Sequence, residues 1–244
     1  MTDPLERFDE EATRFVALIT GADLTTPVPT CPGWTLADLV THLGQVHRWA
    51  EHTVRTHATS RPSFREAAPE PPPGTDLPGW LASGIEPLKA TLRAADPDAP
   101  VWAWGADQHV RFWPRRMWHE TLIHRTDVEQ ALGLSVTIPE DAAVDGIDEF
   151  LANLPHARNI APRLADLTTD GQTLHLHATD TDGEWLVTMP PAYSWTRGHT
   201  KADVAVRGPV AELLLMVYGR RPPETLTTFG DPTLLTTWLN ATAL

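Results

Sequence analysis

Eleven histidines are spread over the 244 residues. Two short runs hold the ones whose spacing could do chemistry: His42 with His47, and His119 with Glu120 and His124. In an α-helix each residue advances about 100°, so positions four apart share a face and positions five apart point roughly 140° from one another. Glu120 and His124 therefore project together, whereas His119 and His124 do not. The segment HETLIH thus departs from the H-E-x-x-H pattern, in which two histidines hold zinc and the glutamate is the base. Here Glu120 would itself be a ligand. His42 lies in line with Leu39, Val46 and Trp49, and His47 is displaced from that line. One imidazole from the first run with a carboxylate and an imidazole from the second makes a His₂Glu donor set. Three protein ligands leave a fourth position on zinc open to water or substrate. The plainer reading of the same residues is a core histidine and a surface Glu–His pair, because spacing alone does not bring the two runs together.

The elements that must position these side chains follow from hydrophobic periodicity. Leu5, Phe8, Ala12, Phe15 and Ile19 recur three and four apart, which predicts an amphipathic helix over 4–20 ended by Gly21. Thr35 and Asp38 form a capping-box pattern that opens a second helix, with Leu36, Leu39, Val40, Leu43, Val46 and Trp49 on its apolar face. The proline-rich stretch 59–75 reads as a surface loop. A third helix is expected over 77–95, and a fourth from Pro114, as its first residue, to Gly133. Between them VWAWGADQHVRFW reads as a hairpin or ordered loop, and Trp102, Trp104, Trp113 and Trp118 are close enough in sequence to line a pocket mouth. Four such helices suggest an antiparallel four-helix bundle, a fold that builds metal sites from inward positions on facing helices. A fifth helix over 139–154 would lead out of it.

Beyond about residue 160 the period shortens to two. Strands are expected at 172–179, 183–190 and 202–208, a buried helix at 209–218 and a last helix, capped by Asp231, to 243. His175 and His177 alternate along the first strand and read as surface residues. The expected architecture is an α-helical domain over 1–158 followed by a small α+β domain over 159–244.

Composition narrows the functional classes. A formal net charge of -13 and a pI near 5.2 disfavour nucleic acid and anionic membranes as partners. Mean hydropathy is -0.25, and no apolar run approaches the ~20 residues of a spanning helix. The N-terminal MTDPLERFDEEA has no apolar stretch of the secretory kind, so a soluble cytoplasmic protein is expected, as a monomer or weak homodimer. With Cys31 the single cysteine, an intramolecular disulfide and a cysteine-rich zinc site are excluded. In the T-C-P-G-W turn it reads as a small buried residue.

The run TCPGWTLADLVTHLGQVHRWA, followed by RRMWHETLIHRTDVEQALG, resembles the mycothiol-dependent maleylpyruvate isomerase family, part of the wider DinB/YfiT-like bundle superfamily. ADVAVRGPVAELLLMVYGRRP is similar to the C-terminal domain of that family. The resemblance implies a DinB-like bundle holding one divalent metal, usually zinc, on His42, Glu120 and His124. It also implies use of mycothiol, the small actinobacterial thiol, as cofactor or co-substrate. A thiol is a good nucleophile only as thiolate, and coordination to zinc deprotonates it for attack on an electrophilic carbon. The expected activity is therefore an isomerase that adds the thiol reversibly to a cis double bond, or a thiol S-transferase. Its partners would be a small-molecule thiol and a small electrophilic substrate. Arg220 matches an arginine of the family that faces thiol or substrate. Arg116, one turn before Glu120, is placed either to hold a substrate carboxylate or to pair with Glu120. Asp127, three residues after His124, and Asp38, four before His42, are candidates to accept the second ring N–H of each histidine. The alternatives are a metal-binding or regulatory bundle without turnover, and a zinc–water hydrolase on the same fold.

Overall fold

The computed structural model describes residues 3–243. The chain forms two compact units. The first runs to Val136, apart from Trp104–Ala106, which belong with the second unit from Thr137 onward.

The first unit is helical: α1 (Pro4–Ile19), α2 (Leu36–Arg55), the one-turn α3 (Phe64–Ala67), α4 (Leu77–Ala94) and α5 (Phe112–Ala131). Helix α1 packs on α4 and α5, and so does α2, which closes the four long helices into a bundle. Leu5, Phe8, Ala12, Phe15 and Ile19 are all buried, as their spacing requires. Helix α2 opens on the expected capping box: the Thr35 side chain accepts from the Asp38 N–H while Asp38 accepts from the Thr35 N–H. Between α1 and α2, a bridge between Pro27 and Thr35 pinches off a tight turn. It closes through Gly33 at φ 84°, a conformation that glycine adopts without a Cβ penalty.

Helix α5 begins two residues before Pro114, which is harmless because N–H groups in the first turn have no helical partner to lose. It is buried on nearly all sides, polar residues included. Its Arg125, fully buried, donates 2.6 Å hydrogen bonds to Glu11 of α1 and to Glu129. A buried charge is tolerated when paired in this way. The four tryptophans that are close in sequence between Trp102 and Trp118 do not form one group. Trp49, Trp102 and Trp113 form an edge-to-face cluster, Trp118 stacks on His119, and Trp104 lies in the other unit.

The second unit holds α6 (Glu140–Asn153), α7 (Ala161–Ala165), β1 (Thr173–Ala178), β2 (Glu184–Thr188), β3 (Ser194–Arg197), β4 (Val204–Gly208), α8 (Val210–Val217), β5 (Thr227–Gly230) and α9 (Pro232–Thr242). The sheet order is β3-β2-β1-β4-β5, antiparallel except for the β1–β4 pair. Strands β3 and β5 were not anticipated. They are edge strands of four residues, each with a single half-buried position, so they carry no alternation to read. Helix α6 departs from expectation in its allegiance. Phe150 meets Tyr218 at 4.9 Å between ring centroids, Asp148 accepts from the Trp185 indole at 2.8 Å, and α6 packs on α8. The division accordingly falls at 136/137 rather than at 158. His175, expected at the surface, is only 4% exposed. Among the described residues, no helix is long and apolar enough to cross a membrane.

Candidate metal centre

The bundle brings the two predicted runs together. His42 stands two turns into α2, and Glu120 and His124 are one turn apart on α5. Nε2 of His42 and Nε2 of His124 each lie 3.3 Å from the same Glu120 oxygen, Oε1. The two imidazole rings are 5.1 Å apart and nearly perpendicular. The three donor atoms fall within 4.8 Å of one another. Exposure is graded across the group, from 34% for the His42 side chain through 20% for Glu120 to 9% for His124. The centre therefore opens to solvent on the His42 side, where the ring packs against Trp34 at 5.1 Å.

A shell of hydrogen bonds fixes this geometry. Arg116 of α5, buried, donates to Glu120 Oε2 at 2.7 Å, which leaves Oε1 for the two histidines. Nδ1 of His124 lies 2.9 Å from Asp127 Oδ2, a fully buried carboxylate. Asp127 in turn accepts from Thr30 Oγ1 at 2.6 Å and from the Cys31 thiol at 3.5 Å. Cys31 is thus half-buried against the site rather than an isolated packing residue. Burial by itself would lower the His124 pKa, but its hydrogen bonds to Asp127 and Glu120 outweigh that and raise it to about 9. Burial likewise opposes ionisation of Glu120. Its hydrogen bonds with His124 and His42, with the Arg116 charge beside it, nevertheless hold it well below the usual carboxylate range.

The remaining candidates are placed elsewhere. Asp38 is exposed, and its Oδ2 accepts from the Thr35 backbone at 2.8 Å and the Thr35 hydroxyl at 2.6 Å. It serves as a helix cap, whereas Asp127 is the carboxylate that meets a histidine of the centre. His47 is fully buried, meets Thr121 Oγ1 at 3.0 Å, and packs edge-on to Phe8. Burial pushes its pKa down to about 3, so it is a neutral core histidine. Arg220 lies in the second unit, just past α8, where its guanidinium donates to the Tyr218 carbonyl at 2.8 Å. Thr30 and Trp34 belong to the site and were missed. They sit in an irregular turn with no periodicity to point them inward.

The donor set suits a divalent transition metal. Two imidazoles and a carboxylate are ligands that zinc accepts, and His124 already has its far nitrogen tied to a carboxylate, the usual support of a zinc-bound histidine. The Mycothiol maleylpyruvate isomerase N-terminal domain family matches residues 5–129, and the C-terminal domain of the same family matches residues 141–237. The chain belongs to this family. In fold, it is similar to the crystal structure of the mycothiol-dependent maleylpyruvate isomerase, with a TM-score of 0.62 at 16% identity over 93% of this chain and 95% of that one. A histidine-to-alanine mutant of that isomerase superposes equally well, with a TM-score of 0.61 at 15% identity and the same coverage. At such identities the likeness is one of fold. No curated protein matches the sequence.

Proposed function

We propose that this member of the maleylpyruvate isomerase family is a metal-dependent enzyme. His42, Glu120 and His124 hold zinc, mycothiol is the thiol co-substrate, and a small electrophile is isomerised. The observation that carries the proposal is the convergence of two imidazole nitrogens on one carboxylate oxygen, at a centre open on one side. A bound zinc ion would supply a Lewis-acidic position at which a thiol loses its proton near neutral pH.

The chain's own residues do the rest. Asp127 holds Nδ1–H of His124 and so presents the Nε2 lone pair to the centre once its proton has gone. Thr30 and Cys31 keep Asp127 in register from the turn before α2. Arg116 fixes the rotamer of Glu120 and offsets its charge, so its role here is ion pairing within the site. Trp34 flanks the open side beside His42, where an incoming thiol and electrophile would pass. Arg220 is our candidate for binding thiol or substrate. An Arg220→Met variant should then raise KM for one of them while leaving metal content unchanged.

The decisive test is zinc content and mycothiol titration of the wild-type protein beside His42→Ala and His124→Ala. Each variant should lose one zinc equivalent and, with it, mycothiol binding. Mycothiol binding that survives removal of the metal would refute thiol activation at this centre, and a zinc content in both variants undiminished from wild type would refute the ligand assignment.

A further inference from the structure

The sheet of the second unit carries another group of metal-ligating side chains. Alternate residues of a strand share a face, so β1 sets His175 and His177 on one side while Leu174, Leu176 and Ala178 are buried on the other. The antiparallel register puts His177 opposite Glu184 of β2. After β3, Gly198 at φ 132° turns the chain and brings His199 to the same carboxylate. Nδ1 of His177 lies 2.9 Å from Glu184 Oε1, Nδ1 of His199 lies 2.9 Å from Oε2, and Nε2 of His175 lies 3.6 Å from Oε2. The three rings stand 5.5–5.8 Å apart.

Two features distinguish this group from surface ion pairs. His175 is 4% exposed, and its Nε2 has no hydrogen-bond partner. The backbone of Gly198 lies against the same ring. The unpartnered Nε2 faces a carboxylate oxygen, Glu184 Oε2, at 3.6 Å. A buried nitrogen left without a partner beside a carboxylate is satisfied when a cation lies between the two. Moreover, three imidazolium rings at these spacings would repel one another around a single carboxylate, whereas neutral rings around a cation do not.

We propose that His175, His177, Glu184 and His199 form a second metal site, for a divalent transition ion of the zinc type, which ties β1, β2 and the segment after β3 together. Imidazole nitrogens with one carboxylate favour such an ion over magnesium or calcium. Four protein donors fill a tetrahedral ion, so the site is closed and structural rather than catalytic. Tetrahedral zinc would set its donors about 3.3 Å apart, given bonds of ~2.0–2.1 Å. The donor atoms here lie within 4.8 Å of one another. His199, whose side chain is 76% exposed on a connecting segment, can close the difference. His175 and His199 also border a surface cleft shared with Lys201 and Asp203, which gives an ion its path in.

The test uses the untagged full chain with the bundle centre disabled by His124→Ala. Zinc binding is counted by native mass spectrometry and by competition with a chromogenic chelator. One zinc equivalent should bind to this variant and be lost on adding Glu184→Gln or, separately, His199→Ala. The second change is at an exposed side chain, so a loss there reports ligation rather than misfolding. Absence of a tight equivalent in the His124→Ala protein would overturn the proposal, as would an equivalent that persists through both additional substitutions.

Discussion

A proton on His124 and a metal on its Nε2 exclude each other, and the structure sets the strength of that competition. Asp127 and Glu120 raise the His124 pKa to about 9, so the metal-free protein carries an imidazolium there at neutral pH. Below that pKa each pH unit costs the metal a factor of about ten in affinity, or about 1.4 kcal/mol. Zinc affinity at the bundle centre should therefore fall roughly 100-fold between pH 9 and pH 7, about 2.7 kcal/mol. The assay is a chelator competition over this pH range in a Glu184→Gln background, which removes the sheet site from the count. A line of unit slope in log affinity against pH is expected, levelling off near pH 9. Asp127→Asn should shift the bend to lower pH, because it removes one of the two carboxylates that hold the proton. It should also lower the plateau by about 10- to 100-fold, the usual cost of losing the partner of a metal-bound histidine. A flat profile would refute ligation by His124. An unshifted bend in Asp127→Asn would refute the assigned cause of the raised pKa.

Three further outcomes follow from buried groups. The same raised pKa stabilises the metal-free fold below pH 6.5, and that stability should be lost as pH rises through about 9, measurable by urea unfolding of demetallated protein. His47 has the opposite sign: neutral when folded with a pKa near 3, it binds a proton more readily when unfolded, so acid destabilises the fold below pH 6.5. At pH 5 its share is about 2 kcal/mol, and His47→Gln should lose that much less stability than wild type between pH 7 and pH 5 in urea titrations. Arg125→Ala should cost about 3–5 kcal/mol, because it leaves the buried Glu11 and Glu129 with only the exposed Arg14, at 3.6–3.7 Å, as a charged partner. Replacing Arg125, Glu11 and Glu129 together with Met and Leu should recover most of the loss, and a triple variant no more stable than Arg125→Ala would contradict the pairing account.

Much of the bundle was legible because its signals are local. The stripe from Leu5 to Ile19, the Thr35–Asp38 cap and the four-residue spacing of Glu120 and His124 each state which residues share one face of one helix. The same locality misled at Asp38. As the N3 residue of its cap and a possible partner for His42, it had two roles on offer, and the backbone N–H of Thr35, three residues away, holds it. Asp127 and His124 illustrate the favourable case, since residues three apart on a helix meet whatever packs against them.

Sequence alone determined the longer helices, the strands with buried faces, and the Glu120–His124 half of the metal centre, because the period of the backbone decides these; the short α3 and α7 are too brief to show a period. Tertiary structure decided everything that depends on a neighbour. The turn carrying Thr30 and Cys31 lies 97 and 96 residues from Asp127 in the chain, and packing brings it there. Helix α6 joined the sheet because its partner residues lie in α8 and β2. His175 and His177 alternate as surface residues would. Only the antiparallel register that sets Glu184 against His177, and the turn at Gly198 that returns His199, gathers them around one carboxylate. Periodicity fixes the face of an element, and the docking of other elements fixes what that face meets.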